Sequence, residues 1–401
     1  MQPSDAVRPA ASREPVPLLT LCALFLRIGC SSFGGFMVMV SVIQDVIVGR
    51  HKLLPERELL DGLALASVLP GPLAINVVAY VGYRLRGPAG AAAAVIGALL
   101  PAFLLMVTLA TLYLRWGELA AVGKLFMGMT PVVAAVIAAA AWRLCRVSVR
   151  GWREALLTAG AVVLPVAVPG LGATLAVLVV AAAAGWRWLR ETPAADAAGA
   201  APRAAPAAGA GTLRVSVLPL AAASLAGLAA GSLPTLFGTF ASLSLLMFGG
   251  GYVFIPLLQH AVVEGHGWLT RREFVDAVAL TQVTPGPVMI SAAFIGLKVG
   301  GLAGAASATA GMFLPTATLT VAAVHLLDRV KHSAAVQAVL RGVRAAVAGM
   351  VISAAVTIGM TAAPGWLSGV LGGAALVALL RYRVEAVWLL PVAALMGWLF
   401  Y

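Results

Sequence analysis

The chain has 401 residues, 61% of them hydrophobic and 10% charged, with a mean hydropathy of +0.99. Soluble domains carry about 45–50% apolar and about 25% charged residues, which excludes a water-soluble enzyme or nucleic-acid binder. The net charge of +12 does not restore a nucleic-acid partner, because the cations sit between apolar runs, where short-loop topology anchors belong.

In chain order, a polar N-terminal tail (1–16) precedes a first apolar run long enough to span, which predicts a retained helix rather than a cleaved signal peptide. Six spans are predicted in the first half, at about 17–40, 61–83, 88–114, 122–142, 155–168 and 170–186. The Ala/Pro/Gly-rich stretch 191–214 cannot bury itself and reads as a cytoplasmic linker. Seven more runs follow at about 216–231, 235–258, 274–297, 300–326, 337–360, 364–380 and 384–400. With the N-terminus cytoplasmic, thirteen spans put 18 Lys/Arg inside and six outside, as the positive-inside rule requires, and leave the C-terminus periplasmic. Omitting 216–231 would move Arg271, Arg272, Arg329, Lys331, Arg381 and Arg383 outside. The expected fold is an all-α polytopic membrane protein with a first repeat at 17–190, an inverting span at 215–232 and a second repeat at 233–401.

Two halves emerge from a constant offset. Phe33-Gly34-Gly35 matches Phe248-Gly249-Gly250, Asp61 matches Asp276, and Pro70-Gly71-Pro72 matches Pro285-Gly286-Pro287, all at 215. At 214, Gly82 pairs with Gly296, Arg84 with Lys298, Gly87 with Gly301, Pro101 with Pro315 and Gly128 with Gly342. An odd number of spans separates the copies, which predicts inverted topology, the architecture of many secondary transporters.

Each Pro-Gly-Pro falls near mid-membrane, where proline removes a backbone donor and glycine adds freedom, so a broken helix is predicted. Pro72 and Pro287 are placed to start half-helices whose free N–H groups and positive dipole ends attract an anion. Asn76 and Ser291 lie one turn beyond. The Phe-Gly-Gly stretches, with Gly34, Gly35, Gly249 and Gly250, either unwind or admit close packing, and Ser32 adds a hydroxyl in the first. Gln282 stands beside the second break. Charge within the spans is one-sided: Arg27 lies about one-third of the way into the first span and Arg341 and Arg344 in the first turns of the eleventh, where an arginine either snorkels to the cytoplasmic face or receives an anion, while Asp61 and Asp276 are placed at helix starts near the interface. Arg27 is the leading charged partner for an anion. The five histidines and three cysteines lack ligand spacing, and no nucleotide or catalytic motif occurs, so no metal, cofactor or enzymatic activity is expected.

The Phe33-Gly34-Gly35 and Pro70-Gly71-Pro72 motifs, Gly82-Tyr83-Arg84 with Gly87-Pro88-Ala89-Gly90, and their second copies resemble the chromate ion transporter family in its two-domain form. The second copy, 248–259 followed by Trp268, Phe274, Gln282 and Pro285-Gly286-Pro287, is the closer match. The resemblance covers about residues 20–401. It implies export of chromate from the cytoplasm across a bacterial inner membrane, giving chromate resistance. The alternatives are transport of sulfate or another oxyanion, and an anion channel. Expected partners are the oxyanion and membrane lipid, with a homodimer left open and no nucleic acid.

Overall fold

The computed structural model describes residues 16–33, 36–117, 119–167, 171–189, 233–247, 254–324, 334–362 and 365–401. The linker and inverting span expected at 191–232, and Gly34, Gly35, Gly249 and Gly250, lie outside the described residues.

Those residues form helices and no strand. The first half contains α1 (Leu18–Ser31), α2 (Phe36–Ile43, continued by a π-helical turn, Gln44–Arg50), α3 (Glu56–Val68), α4 (Leu73–Trp116), α5 (Ala120–Ser148), α6 (Trp152–Ala167) and α7 (Leu171–Trp188). After 232 come α8 (Leu233–Leu246), α9 (Phe254–Gln259, continued by His260–Gly265), α10 (Arg271–Val283), a 3₁₀ turn (Val288–Ile290) and α11 (Ser291–Ala323). The chain ends with α12 (Ala334–Gly359), α13 (Trp366–Arg381) and α14 (Ala386–Phe400). Among the described residues, four segments are long and apolar enough to cross a membrane: Leu73–Trp116, Ala120–Ser148, Val288–Ala323 and Gln337–Gly359. This is a multi-pass, all-α membrane protein.

Two expected helices are corrected. The runs 17–40 and 235–258 are not continuous: α1 stops at Ser31 and α2 starts afresh at Phe36, and α8 stops at Leu246 and α9 starts afresh at Phe254, because hydropathy persists where the backbone leaves the helix, as at Ser32 and Met247. In contrast, 61–83 and 274–297 break at Pro-Gly-Pro as anticipated.

At about 1.5 Å per residue, the 44 residues of α4 would extend to roughly 66 Å, twice the hydrocarbon thickness. The helix does not run straight. Gly87 takes φ 61°, ψ −156°, a left-handed conformation open to glycine, and the chain folds back on itself. Gly82 and Gly90 then meet backbone to backbone, each without room for a Cβ. Gly301 adopts φ 61°, ψ −154° in α11, and Gly296 meets Gly304 in the same way.

The two folded-back helices pack on each other at the centre, with α1 against α4 and α8 against α11. Gly97 seats on the Cys22 carbonyl in the first pair, and Gly311 on that of Phe237 in the second. Small residues allow this close approach, which in lipid replaces the hydrophobic driving force. A second group surrounds α5 and α12, with α6 and α7 on α12 and α13 and α14 on α5. Gly128 of α5 seats against Ala393 and Gly397, and Gly342 of α12 against Ala181 and Gly185.

A Cβ at Gly342 would overlap the Ala181 carbonyl and stand 2.8 Å from the Gly185 Cα, atoms that cannot swing away. Gly342→Val is therefore expected to lower membrane-inserted protein severalfold, as overpacking costs typically 1–3 kcal/mol. Gly369→Ala, with open space around it, serves as the control with unchanged abundance in quantitative blots of membranes.

Candidate functional site

The two Pro-Gly-Pro breaks lie where the halves interlock. After α3 the chain extends through Leu69, passes Gly71 at φ 105°, and enters α4 with Pro72 as its cap. After α10 it extends at Thr284, passes Gly286 at φ 102°, and enters the 3₁₀ turn behind Pro287. The Gly71 N–H donates to the Met247 carbonyl at 2.7 Å, and the Gly286 N–H donates to the Ser32 carbonyl at 2.8 Å. Residues 247 and 32 are themselves 215 apart, so each break is tied to the end of the opening helix of the other half. The Gly71 and Gly286 amides, which precede the expected half-helices, are thus engaged by carbonyls. A half-membrane break leaves backbone groups that lipid cannot satisfy, and the opposite half supplies the acceptors.

The breaks carry polar groups that the protein leaves open. Asn76 is fully buried; its Nδ2 donates to the Pro70 carbonyl at 3.0 Å, and its Oδ1 has no partner among the described residues. Ser291 Oγ is buried without a partner among the described residues, as is Gln282 Nε2. Ser32 is buried and donates to the Ile28 carbonyl at 2.6 Å. Buried polar atoms are ordinarily paired, and three of those without a partner among the described residues lie at or beside the two breaks.

The three intramembrane arginines separate. Arg344 reaches from α12, about three turns in, to donate to the Ser67 carbonyl at 3.1 Å, three residues before Pro70. No carboxylate lies within ion-pair distance of it among the described residues. Arg341 donates instead to the Leu189 carbonyl at the end of α7. Arg27 is exposed, while Leu21, Phe25 and Ile28 form the packed side of α1. The sequence-expected leading cation therefore does not join the groups that converge on the breaks, and helical position along α1 is the reason. Arg27→Gln and Arg27→Lys are expected to retain near-wild-type flux per inserted molecule, which transport assays normalised to membrane protein would check.

Residues that sequence reasoning passed over complete the first break. Thr316 of α11 lies against Gly71, and the Ser244 hydroxyl of α8 donates to the Met312 carbonyl at 2.6 Å beside it. Both are fully buried. Their signal was faint: hydroxyls on otherwise apolar helices. Asp276 is 3% exposed, and Tyr113 of α4 donates to its carboxylate at 2.7 Å.

No solved structure matches the chain. A chromate transport protein of Cupriavidus metallidurans is 32% identical over 365 residues, covering 89% of this chain and 87% of that protein. One from Pseudomonas aeruginosa is 30% identical over 414 residues, covering 99% and 96%. An uncharacterized transporter of Bacillus subtilis is 29% identical over 166 residues, covering 40% of this chain and 93% of its own length. The family described as Chromate transporter matches residues 19–188 and 234–398, one stretch on each side of the linker, and the chain belongs to that family.

Proposed function

We propose that this protein is a secondary transporter that exports chromate, and that the anion binds at the first Pro-Gly-Pro break beside Arg344. The observation that carries the reading is the Arg344 guanidinium held at Ser67 without a carboxylate partner among the described residues. A cation at helix centre costs about 2.5–3.5 kcal/mol on insertion scales, and a group retained at that cost has a use. A planar fork of donors suits a tetrahedral dianion. The positive end of α4, which begins behind Pro72, adds to the same field. Pro70, Gly71 and Asn76 line the first break; Gln282, Pro285, Gly286, Pro287 and Ser291 form its counterpart. Gly34, Gly35, Gly249 and Gly250 belong to the proposal through the sequence repeat alone, and Arg341 serves α12 packing on α7 rather than the anion.

The architecture of the proposal is an inverted repeat of 17–190 and 233–401 joined by a linker at 191–214 and one inverting span, giving thirteen spans in a bacterial inner membrane. Matching glycine conformations at 71 and 286, and at 87 and 301, support the repeat. So does the positive-inside count, which places the N-terminus in the cytoplasm. Alternating access then follows from one repeat rocking against the other. Chromate flux from proteoliposomes, with voltage and pH gradient set independently, tests the function. Export confers resistance on cells in the same reading, and sulfate competition at low excess would instead mark a broader oxyanion carrier.

A further inference from the structure

A cavity of about 380 Å³ opens away from the breaks, between the start of α10, the first turns of α5 and the residues after α12. Its volume is at the lower end of small-molecule pockets, about 300–1,000 Å³. Arg271, Arg272, Thr130, Thr361 and Asp276 supply its polar wall, and Phe126 part of its apolar one. Both arginines are exposed and neither forms an ion pair with Asp276. Among the described residues the Asp276 carboxylate accepts from the Tyr113 hydroxyl, whose ring is fixed edge-on against Phe126 and tilted against Phe294. The charged groups that face it are few. Arg271, Arg272 and Glu273 come from its own helix, and Glu273 is itself bound by Lys298 of α11. From α4 comes Tyr113; the lining residues of α5, and the whole of α9 and α14, bring none.

We propose that this cavity is a second oxyanion site whose occupancy is governed by one proton on Asp276. When the carboxyl is neutral, Arg271 and Arg272 are left to the anion; the Thr130 and Thr361 hydroxyls beside them donate to the Phe126 and Ile358 carbonyls. When it is ionised, it competes with the anion for the arginines and repels it. The ligand class rests on the transport reading above; the proton linkage rests on the cavity. Linkage is reciprocal, so each anion bound at this site takes up a proton, and affinity falls as pH rises through the titration of Asp276.

Purified full-length protein in detergent micelles, titrated with chromate and separately with sulfate across the weakly acidic to weakly alkaline range, tests this. The wild type is expected to lose affinity by about tenfold per pH unit above the transition, the slope of one linked proton. With sulfate, which stays a dianion over this range whereas chromate itself takes up a proton, it should also draw protons from weakly buffered solution on anion addition. Asp276→Asn is expected to bind sulfate with no pH dependence and no proton uptake. Arg272→Gln should weaken this component about tenfold or more, while Arg344→Gln leaves it in place. Tyr113→Phe, which keeps the carboxylate, should shift the pH transition without removing it and guards against a misfolded Asn variant. Unchanged pH dependence in Asp276→Asn, or full affinity in Arg272→Gln, overturns the site and leaves the transport reading standing. Absent chromate flux in wild-type proteoliposomes overturns the transport reading, and sulfate-linked proton uptake still decides this one.

Discussion

Arg344→Gln is expected to reduce chromate flux ten- to hundredfold while raising, or at least preserving, the amount of inserted protein. A hydrogen bond to a charged group contributes about 1.5–3 kcal/mol, which sets the loss of anion binding. Removing a cation from the centre of α12 also relieves an insertion cost of about 2.5–3.5 kcal/mol. Activity and abundance therefore move in opposite directions, a pattern that structural damage does not produce. Arg344→Lys should fall between, because an ammonium supplies charge without the planar fork. The Ser67 side chain donates to Ala64 and is not part of the contact, so Ser67→Ala serves as a neighbour control. Normal flux per molecule in Arg344→Gln would remove the arginine, and with it the first-break site.

The second large effect separates the two breaks. Gly71 and Gly286 share nearly the same φ, 105° and 102°, so alanine is strained at both, by about 1–3 kcal/mol. Their surroundings differ. A Cβ on Gly71 would overlap the side chain of Thr316, whereas one on Gly286 would stand 3.3 Å from the Ala102 Cβ. Gly71→Ala is therefore expected to lose most of its inserted protein, and Gly286→Ala to keep most of it and lose flux instead. Membrane abundance and flux per molecule, measured side by side, check the asymmetry. Equal abundance for the two variants would show that the Thr316 contact yields.

The asymmetry was not legible in the sequence, where the two motifs are identical. Composition and run length give the membrane class, and the 215 and 214 offsets find the paired glycines, because proline and glycine act on their own backbone. What a neighbouring helix brings to that backbone has no local signature. Thr316 stands at Gly71 and Ala102 at Gly286 through packing between halves. The same limit explains Arg27 and Arg344: both read as cations within spans, and the helical face each occupies depends on what its helix packs against. Asp276 read as a helix-start acid by position, and Tyr113, 163 residues away, is what donates to it.

The crossed hydrogen bonds at the breaks also bear on how the chain is made. During synthesis the first half enters the membrane before the second exists, and the Gly71 amide must wait for a carbonyl 176 positions downstream. An unsatisfied backbone donor in hydrocarbon costs several kcal/mol, so the early half is held open as an unfinished subassembly. Met247 closes it, and Gly286 closes on Ser32 in the same docking event. The two crossed bonds therefore report one event, the docking of α1 and α4 with α8 and α11.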